Sequence, residues 1–265
     1  MPIRETPWPA GTPCWVDCQV DDTDRARVFY SALLGWEIAD TAPEAGGYLM
    51  ATVRGRPAAG IGPKPTGQIM QSTWTTYLAT DDADATAAAV TGAGGTVLAP
   101  PFDVMDIGRM FVAADPTGAV FGVWQARLHS GAGIYNEPGA YCWNEVHTDG
   151  YERAQSFYSQ VFGWNFTEVG AGTEMTYATF ALEPGGPPVG GIADATGIPD
   201  SGPSHWLAWF QVAGTDATLA SAAELGGAVL MGAQDSPFGR MGVLSAPQGE
   251  AFGVIEISES AESTS

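Results

Sequence analysis

The chain repeats itself, and that fact limits its folds more than any other. The stretch CWVDCQVDDTDRARVFYSALLGW, Cys14 to Trp36, returns 128 positions later as CWNEVHTDGYERAQSFYSQVFGW, Cys142 to Trp164. The leading Cys-Trp, the central Phe-Tyr and the closing Gly-Trp all keep their places. Further on, GRMFVAADPTGAVFGV (Gly108 to Val123) returns as GRMGVLSAPQGEAFGV (Gly239 to Val254). Two matching blocks in the same order mean two copies of one structural unit. We assign the copies to residues 12–128 and 140–257. The Gly/Pro-rich HSGAGIYNEPG between them (129–139) is expected to be a linker open to proteases, with His129 in solvent. The polar SESAESTS (258–265) is expected to be disordered.

Each copy alternates strand, helix and short strands twice. In the first, Asp22 or Thr23 can cap a helix over 24–34, where Ala26, Phe29, Tyr30 and Leu33 recur at helical spacing and Gly35 stops it. Strands are predicted over 48–53, 58–61, 73–80, 96–99, 110–114 and 119–125, with a second helix over 82–91. The second copy predicts helices over 151–162 and 215–225. The fold class is α+β, with four βαβββ modules in two tandem domains.

Composition narrows the partners. Thirty acids against ten bases give a net charge of −20, a surface that repels nucleic acid and anionic membrane and attracts a cation. No apolar run approaches the length of about 20 residues that a membrane helix needs. Cys14 and Cys18 lie about 13 Å apart along one strand, too far for a disulfide, so the three cysteines are read as reduced and the chain as cytoplasmic. A phosphate-binding P-loop, a Cys-x-x-Cys pair and a Gly-x-Ser-x-Gly elbow are all absent from the sequence.

Strand parity selects the candidate site. Successive side chains point to opposite faces, so Trp15, Asp17 and Gln19 share one face while Val16, Cys18 and Val20 face the helices. The second copy places Trp143, Glu145 and His147 on the equivalent face. The strands opening the second and fourth modules add Thr75 and Tyr77 in one copy, and His205, Leu207 and Trp209 in the other. Trp74 and Trp206 fall on the helix side and are assigned to the core. Trp15 and Trp143 either line a pocket or plug it. Asp17 and Glu145 either meet a ligand or pair with Arg109, Arg240 or backbone donors. Arg109 and Arg240, repeated after glycine, suggest structural forks to carboxylate.

The helices FYSALLGW and FYSQVFGW, the four-module layout and the closing strand DPTGAVFGV resemble the vicinal oxygen chelate superfamily, which includes glyoxalase I, extradiol dioxygenases and bleomycin-resistance proteins. The likeness is to its tandem two-domain actinobacterial type, which includes accessory proteins of anthracycline biosynthesis. It implies paired modules whose curved sheets wrap a ligand cavity. Metal-using members carry His, His or Gln, and Glu at three positions that fall here on Trp15, Thr75 and Gly122, and on Trp143, Leu207 and Gly253. None of these six side chains is an imidazole or a carboxylate, so no metal and no cofactor are expected. The function expected is metal-free binding of a small aromatic natural product, such as an anthracycline antibiotic, for sequestration, resistance or biosynthesis. Stacking on tryptophan and charge contact with Asp17 or Glu145 would hold a cationic ligand. Two other functions compete: a glyoxalase- or dioxygenase-like enzyme using Glu145, His147 and His205, and a protein-binding scaffold. Covalent fusion of two copies points to a monomer that is an internal pseudo-dimer.

Overall fold

The computed structural model describes residues 2–39, 46–65, 67, 70–169, 176–196 and 202–257; the tail at 258–265 lies outside them. The first copy contains β1 (Pro13–Val20), α1 (Thr23–Leu34), β2 (Glu37–Ala39), β3 (Leu49–Val53), β4 (Arg56–Pro63), β5 (Thr73–Ala79), α2 (Ala83–Gly92), β6 (Thr96–Val104), β7 (Gly108–Ala114) and β8 (Val120–Ala126). The second contains β9 (Tyr141–Thr148), α3 (Tyr151–Phe162), β10 (Asn165–Val169), β11 (Tyr177–Ala181), β12 (Gly190–Asp194), β13 (His205–Gln211), α4 (Thr215–Glu224), β14 (Ala228–Ser236), β15 (Gly239–Ser245) and β16 (Ala251–Ile257).

The repeated punctuation does what its chemistry requires. Asp22 caps α1 by accepting the Arg25 amide, and Gly35 ends the helix in the left-handed region at φ 70°, as Gly163 ends α3. Strands β2 and β10, which follow each Gly-Trp, were not expected from the sequence. They are short edge strands with little buried surface, so hydrophobic alternation does not mark them. Strand β6 runs past its predicted end, through Pro100 and Pro101. An outermost strand tolerates proline because one side has no ladder to donate to.

Each copy forms one eight-stranded sheet, in the order β2-β3-β4-β1-β5-β8-β7-β6 and its equivalent β10-β11-β12-β9-β13-β16-β15-β14. The modules of a copy join where β1 pairs antiparallel with β5, and β9 with β13. The two sheets then meet helix side to helix side. Helix α1 lies against α4, α2 against α3, and β5 touches β13. The core is therefore shared between the copies. Tyr30, Trp36 and Trp74 of the first pack with Phe210 and Phe252 of the second, while Phe111 and Phe121 pack with Phe157, Tyr158 and Trp206. Trp74 and Trp206 lie in this core, as their parity indicates.

Two buried acids cross the join reciprocally. Tyr30 donates to Glu250 at 3.1 Å, and Tyr158 donates to Asp115 at 3.0 Å. Each tyrosine also accepts from a tryptophan, Trp74 or Trp206. Asp115 aligns with Ala246 and Glu250 with Ala119, so the copies supply the same hydrogen bond from different positions of one turn. Arg109 grips Asp84 with two nitrogens and also reaches Asp103, and Arg240 does the same with Asp216 and Asp235. These forks are exposed and tie helix to sheet edge; neither reaches Asp17 or Glu145.

The linker is not the loose tether expected. Residues 131–134 are buried, and the amides of Ala132, Gly133 and Gly139 bond to the carbonyls of Cys14, Pro57 and Gln211. The N-terminal segment straps it down: Trp8 donates to the Ala132 carbonyl and stacks edge-on to Tyr135 at 4.9 Å. Limited proteolysis is therefore expected to spare 129–139, because a protease needs several residues of free backbone. Mass spectrometry of the first fragments checks this, and early cleavage between Ser130 and Ile134 would contradict it.

Candidate functional site

Each sheet has a second face, turned away from the helices. The same small network occupies it in both copies. In the first, Asp17 Oδ2 accepts from the hydroxyls of Tyr48 (3.2 Å) and Tyr77 (3.1 Å), and Tyr48 accepts from Trp15 Nε1 (3.0 Å). In the second, Glu145 Oε2 accepts from Tyr177 (2.8 Å), Glu145 Oε1 from Trp209 Nε1 (3.0 Å), and Tyr177 accepts from Trp143 Nε1 (2.8 Å). Glycines make the room: a Cβ on Gly60 or Gly191 would stand 1.8 or 1.9 Å from the hydroxyl of Tyr48 or Tyr177. Thr75 lies opposite Asp17 across the β1–β5 ladder, and Leu207 lies opposite Glu145 across β9–β13. Gln19 is half-buried on the same strand face.

Beyond that shared frame the two faces diverge. The first is filled. Trp15, Asp17, Tyr77 and Trp124 are all buried, and the His129 ring sits edge-on to Trp15 at 4.6 Å and to Trp124 at 5.6 Å. His129 is therefore a cover over this face, not a solvated linker residue. Burial holds its imidazole down to about 4, and its Nε2 has no partner. The second face has Ile255 where the first has Trp124, and no residue described there corresponds to His129. Its Leu207, Trp209 and Ile255 form a cluster separate from the main core, walled by Trp143, Met231, Met241 and Val243, all half-buried. Two hollows lie away from this cluster: one of 160 Å³ beside Trp8 and Trp124, and one of 660 Å³ over the start of α3.

The second face also carries a polar cluster that the first lacks. His147, the counterpart of Gln19, donates Nε2–H to Glu145 Oε1 at 2.8 Å. Directly opposite it on β13, His205 stacks on its ring at 5.2 Å with 19° between planes, and donates Nδ1–H to the Pro203 carbonyl at 2.9 Å. Burial pushes the Glu145 carboxyl up, but the His147 hydrogen bond and charge, with Tyr177 and Trp209, prevail and hold it below its ordinary range. His147 is the mirror case: burial works against its charge, Glu145 outweighs burial, and the imidazole is raised. His205 is lowered, by burial first and by the His147 charge as well, against the pull of the Pro203 carbonyl.

Asp17 has no such partner. Burial pushes it up to about 7, against the pull of Tyr77 and Tyr48, and its Oδ1 is buried without a bond. The charge of the chain suggested that these carboxylates would meet a cationic ligand, but both are engaged within the protein. Asp17 is sealed, and Glu145 is already held by three internal donors. Tyr48, Tyr177, Trp124 and His129 were not among the residues expected here. The repeat did hold a signal for the tyrosines, since each follows its tryptophan by the same interval to within one residue.

The donor set does not suit a metal. Trp15, Thr75 and Gly122, with Trp143, Leu207 and Gly253, offer no imidazole or carboxylate, and Gly122 and Gly253 are covered by the rings of Tyr77 and Trp209. Among the described residues no three His, Cys, Asp or Glu side chains are arranged to hold a metal ion. No helix among them is long and apolar enough to cross a membrane.

A tandem pair of βαβββ sheets with this strand order defines a glyoxalase-type protein. The model of the glyoxalase/bleomycin resistance protein/dioxygenase superfamily matches residues 14–123 and 142–254, and the chain belongs to that superfamily. It is 42% identical over 262 residues to CFP32 of Mycobacterium tuberculosis, which carries a provisional glyoxylase name, covering 97% of this chain and 98% of that one. It is 36% identical over 263 residues to the anthracycline biosynthesis protein DnrV of Streptomyces peucetius, covering 94% of each. Among solved structures, the Mn(II)-bound glyoxalase from Novosphingobium aromaticivorans superposes with a TM-score of 0.63 at 16% identity, over 93% of this chain and 82% of that one. The 2,2',3-trihydroxybiphenyl 1,2-dioxygenase of Sphingomonas wittichii gives 0.62 at 16%, over 96% and 94%. At such identities these two share the fold.

Proposed function

We propose that this chain binds an aromatic natural product of the anthracycline kind on the helix-free face of its second half. It does so without a metal at the superfamily's ligand positions, and serves as a biosynthetic accessory or in sequestration and resistance. The asymmetry of the two faces carries this reading. One face is closed by Trp124 and His129, whereas the other leaves Trp143, His147 and His205 half-buried beside a methionine-lined apolar wall. A flat ring would lie along Trp143 and the adaptable thioethers. The likeness to DnrV supplies the ligand class. The chain acts as a monomer in this reading, since its shared core already buries the surface that single-copy relatives would use to pair. The ligand is met in the cytoplasm, where the thiols of Cys14, Cys18 and Cys142 stay reduced.

The test is a titration followed by tryptophan fluorescence, using an anthracycline and its sugar-free aglycone. Both are expected to bind within a few-fold of each other, because no free carboxylate awaits the amino sugar. Trp143→Ala is expected to weaken both by roughly tenfold or more, as removal of one stacking platform costs about 1–3 kcal/mol. The matching Trp15→Ala is expected to lower stability instead of affinity. Equal loss of affinity from both tryptophans, or none from either, would reject the assignment of the ligand to the second face.

A further inference from the structure

Resting on that reading, we infer that His147 and His205 form a metal-free acid–base pair that takes up the ionised hydroxyl of a phenolic or enolic ligand. The geometry fixes which nitrogens are available. A carboxylate and a carbonyl can only accept, so His147 Nε2 and His205 Nδ1 must both carry hydrogen in their bonds to Glu145 and Pro203. That leaves His147 Nδ1 and His205 Nε2, on two rings stacked at 5.2 Å, as the nitrogens bonded to no protein group among the described residues. One carboxylate serves two rings: it favours the charged form of His147 against burial, while burial, and any charge on His147, disfavour a charge on His205. In its neutral form His205 presents a lone pair on Nε2, and in its charged form His147 presents a proton on Nδ1.

The titratable groups facing the pair complete the account. On β9 they are Glu145 and His147 themselves, and on β11 Tyr177, which already donates to Glu145. Strand β12 presents Ala193 opposite His147. No lysine or arginine bonds to either imidazole among the described residues.

An acidic hydroxyl placed over the pair loses its proton to His205 Nε2, and the negative oxygen left beside the two rings offsets the second positive charge. The O–H bond breaks, an N–H bond forms, and the electron pair stays on oxygen as phenolate or enolate. The His147 imidazolium stabilises that oxyanion by charge and by a charge-assisted hydrogen bond. No oxidant, reductant or metal is needed. The first face has Gln19 and Thr73 at these two places and cannot do the same. Arrangement of one imidazolium beside one free imidazole thus selects hydroxylated aromatics over their ethers. Glu145 acts through His147 as a positioning residue.

The experiment uses the full chain with alizarin, a hydroxyanthraquinone whose colour changes on ionisation, and 1,2-dimethoxyanthraquinone, which has no proton to give. Bound alizarin should show its anion band at a pH where free alizarin is neutral, with its apparent pKa lowered by about one unit or more, a tenfold preference for the anion. His205→Phe and His147→Phe keep the ring stack. His147→Phe should abolish this shift and His205→Phe should shrink it, and a near-ultraviolet circular dichroism spectrum like the parent's shows that both variants fold. Glu145→Gln should shrink the shift without removing it. If both dyes bind the parent alike and alizarin stays neutral, the acid–base pair is overturned while the aromatic site stands. If neither dye binds, the aromatic site falls and this inference with it. A shift that survives in both phenylalanine variants also overturns it.

Discussion

Residues 2–128, expressed without the second half, are expected to give no folded monomer. Phe29, Tyr30, Trp36 and Trp74 are each nearly or wholly buried, and Phe210, Phe252 and Leu244 of the other half help to cover them. Burying one such side chain is worth about 1.5–3 kcal/mol, so uncovering four costs on the order of 10 kcal/mol. A domain's whole stability is only about 5–15 kcal/mol. Size-exclusion chromatography with near-ultraviolet circular dichroism checks the outcome. A monomeric fragment with a native aromatic spectrum would show the halves to be independent.

Asp17→Asn is expected to remove from the full chain a contribution to stability that falls as pH rises from about 4 to about 7. Folding raises Asp17 from the ordinary carboxylate value to about 7. Between those two pH values the folded state keeps a proton that the unfolded state has lost, so each step up in pH favours unfolding. The limit for this one group is about 4 kcal/mol, reached above pH 7. Glu250 is also raised, and the lowered His129 and His205 act in the opposite sense over much of this range, so the slope of the parent alone does not isolate Asp17; its difference from the variant does. Urea denaturation across this range should show the asparagine variant equal to or less stable than the parent near pH 4 and more stable at pH 8. Glu145 has the opposite sign. Its lowered carboxyl contributes stability above the ordinary range that is lost on acidification, while the raised His147 contributes stability lost as pH climbs past its folded value.

What the sequence disclosed follows from what local chemistry can encode. Helix ends carry their own signals, and Asp22, Gly35 and Gly163 act as such residues must. Strand parity separates Trp74 and Trp206, which belong to the core, from Trp15 and Trp143, because the period of two is a property of any extended chain. Parity says nothing of what crosses from a neighbouring strand. Tyr48 and Tyr177 reach the acids from β3's approach and from β11, and only sheet order brings them there. His129 was misplaced for the same reason: a Gly/Pro-rich stretch reads as solvent-exposed unless the N-terminal segment that straps it is known. The charge of the chain misled about Glu145, since total charge does not report that one carboxylate has collected Tyr177, Trp209 and His147.

The crossed hydrogen bonds between helix tyrosine and turn acid have an ancestral implication. In the tandem chain, Tyr30 takes its acceptor from the second half, and Asp115 gives its acceptor to the second half's Tyr158. The first half alone thus owns both a donor and an acceptor of the join, on surfaces related by the pseudo-twofold. Two copies of it facing each other could satisfy Tyr30 with Asp115 twice over, an isologous contact of the kind a symmetric dimer uses. The tandem chain reads as such a dimer made permanent by fusion. Fusion frees each half from having to match itself, and the halves differ accordingly: the acid stands at Asp115 in one turn and at Glu250 in the other, and Trp124 stands on one face where Ile255 stands on the other.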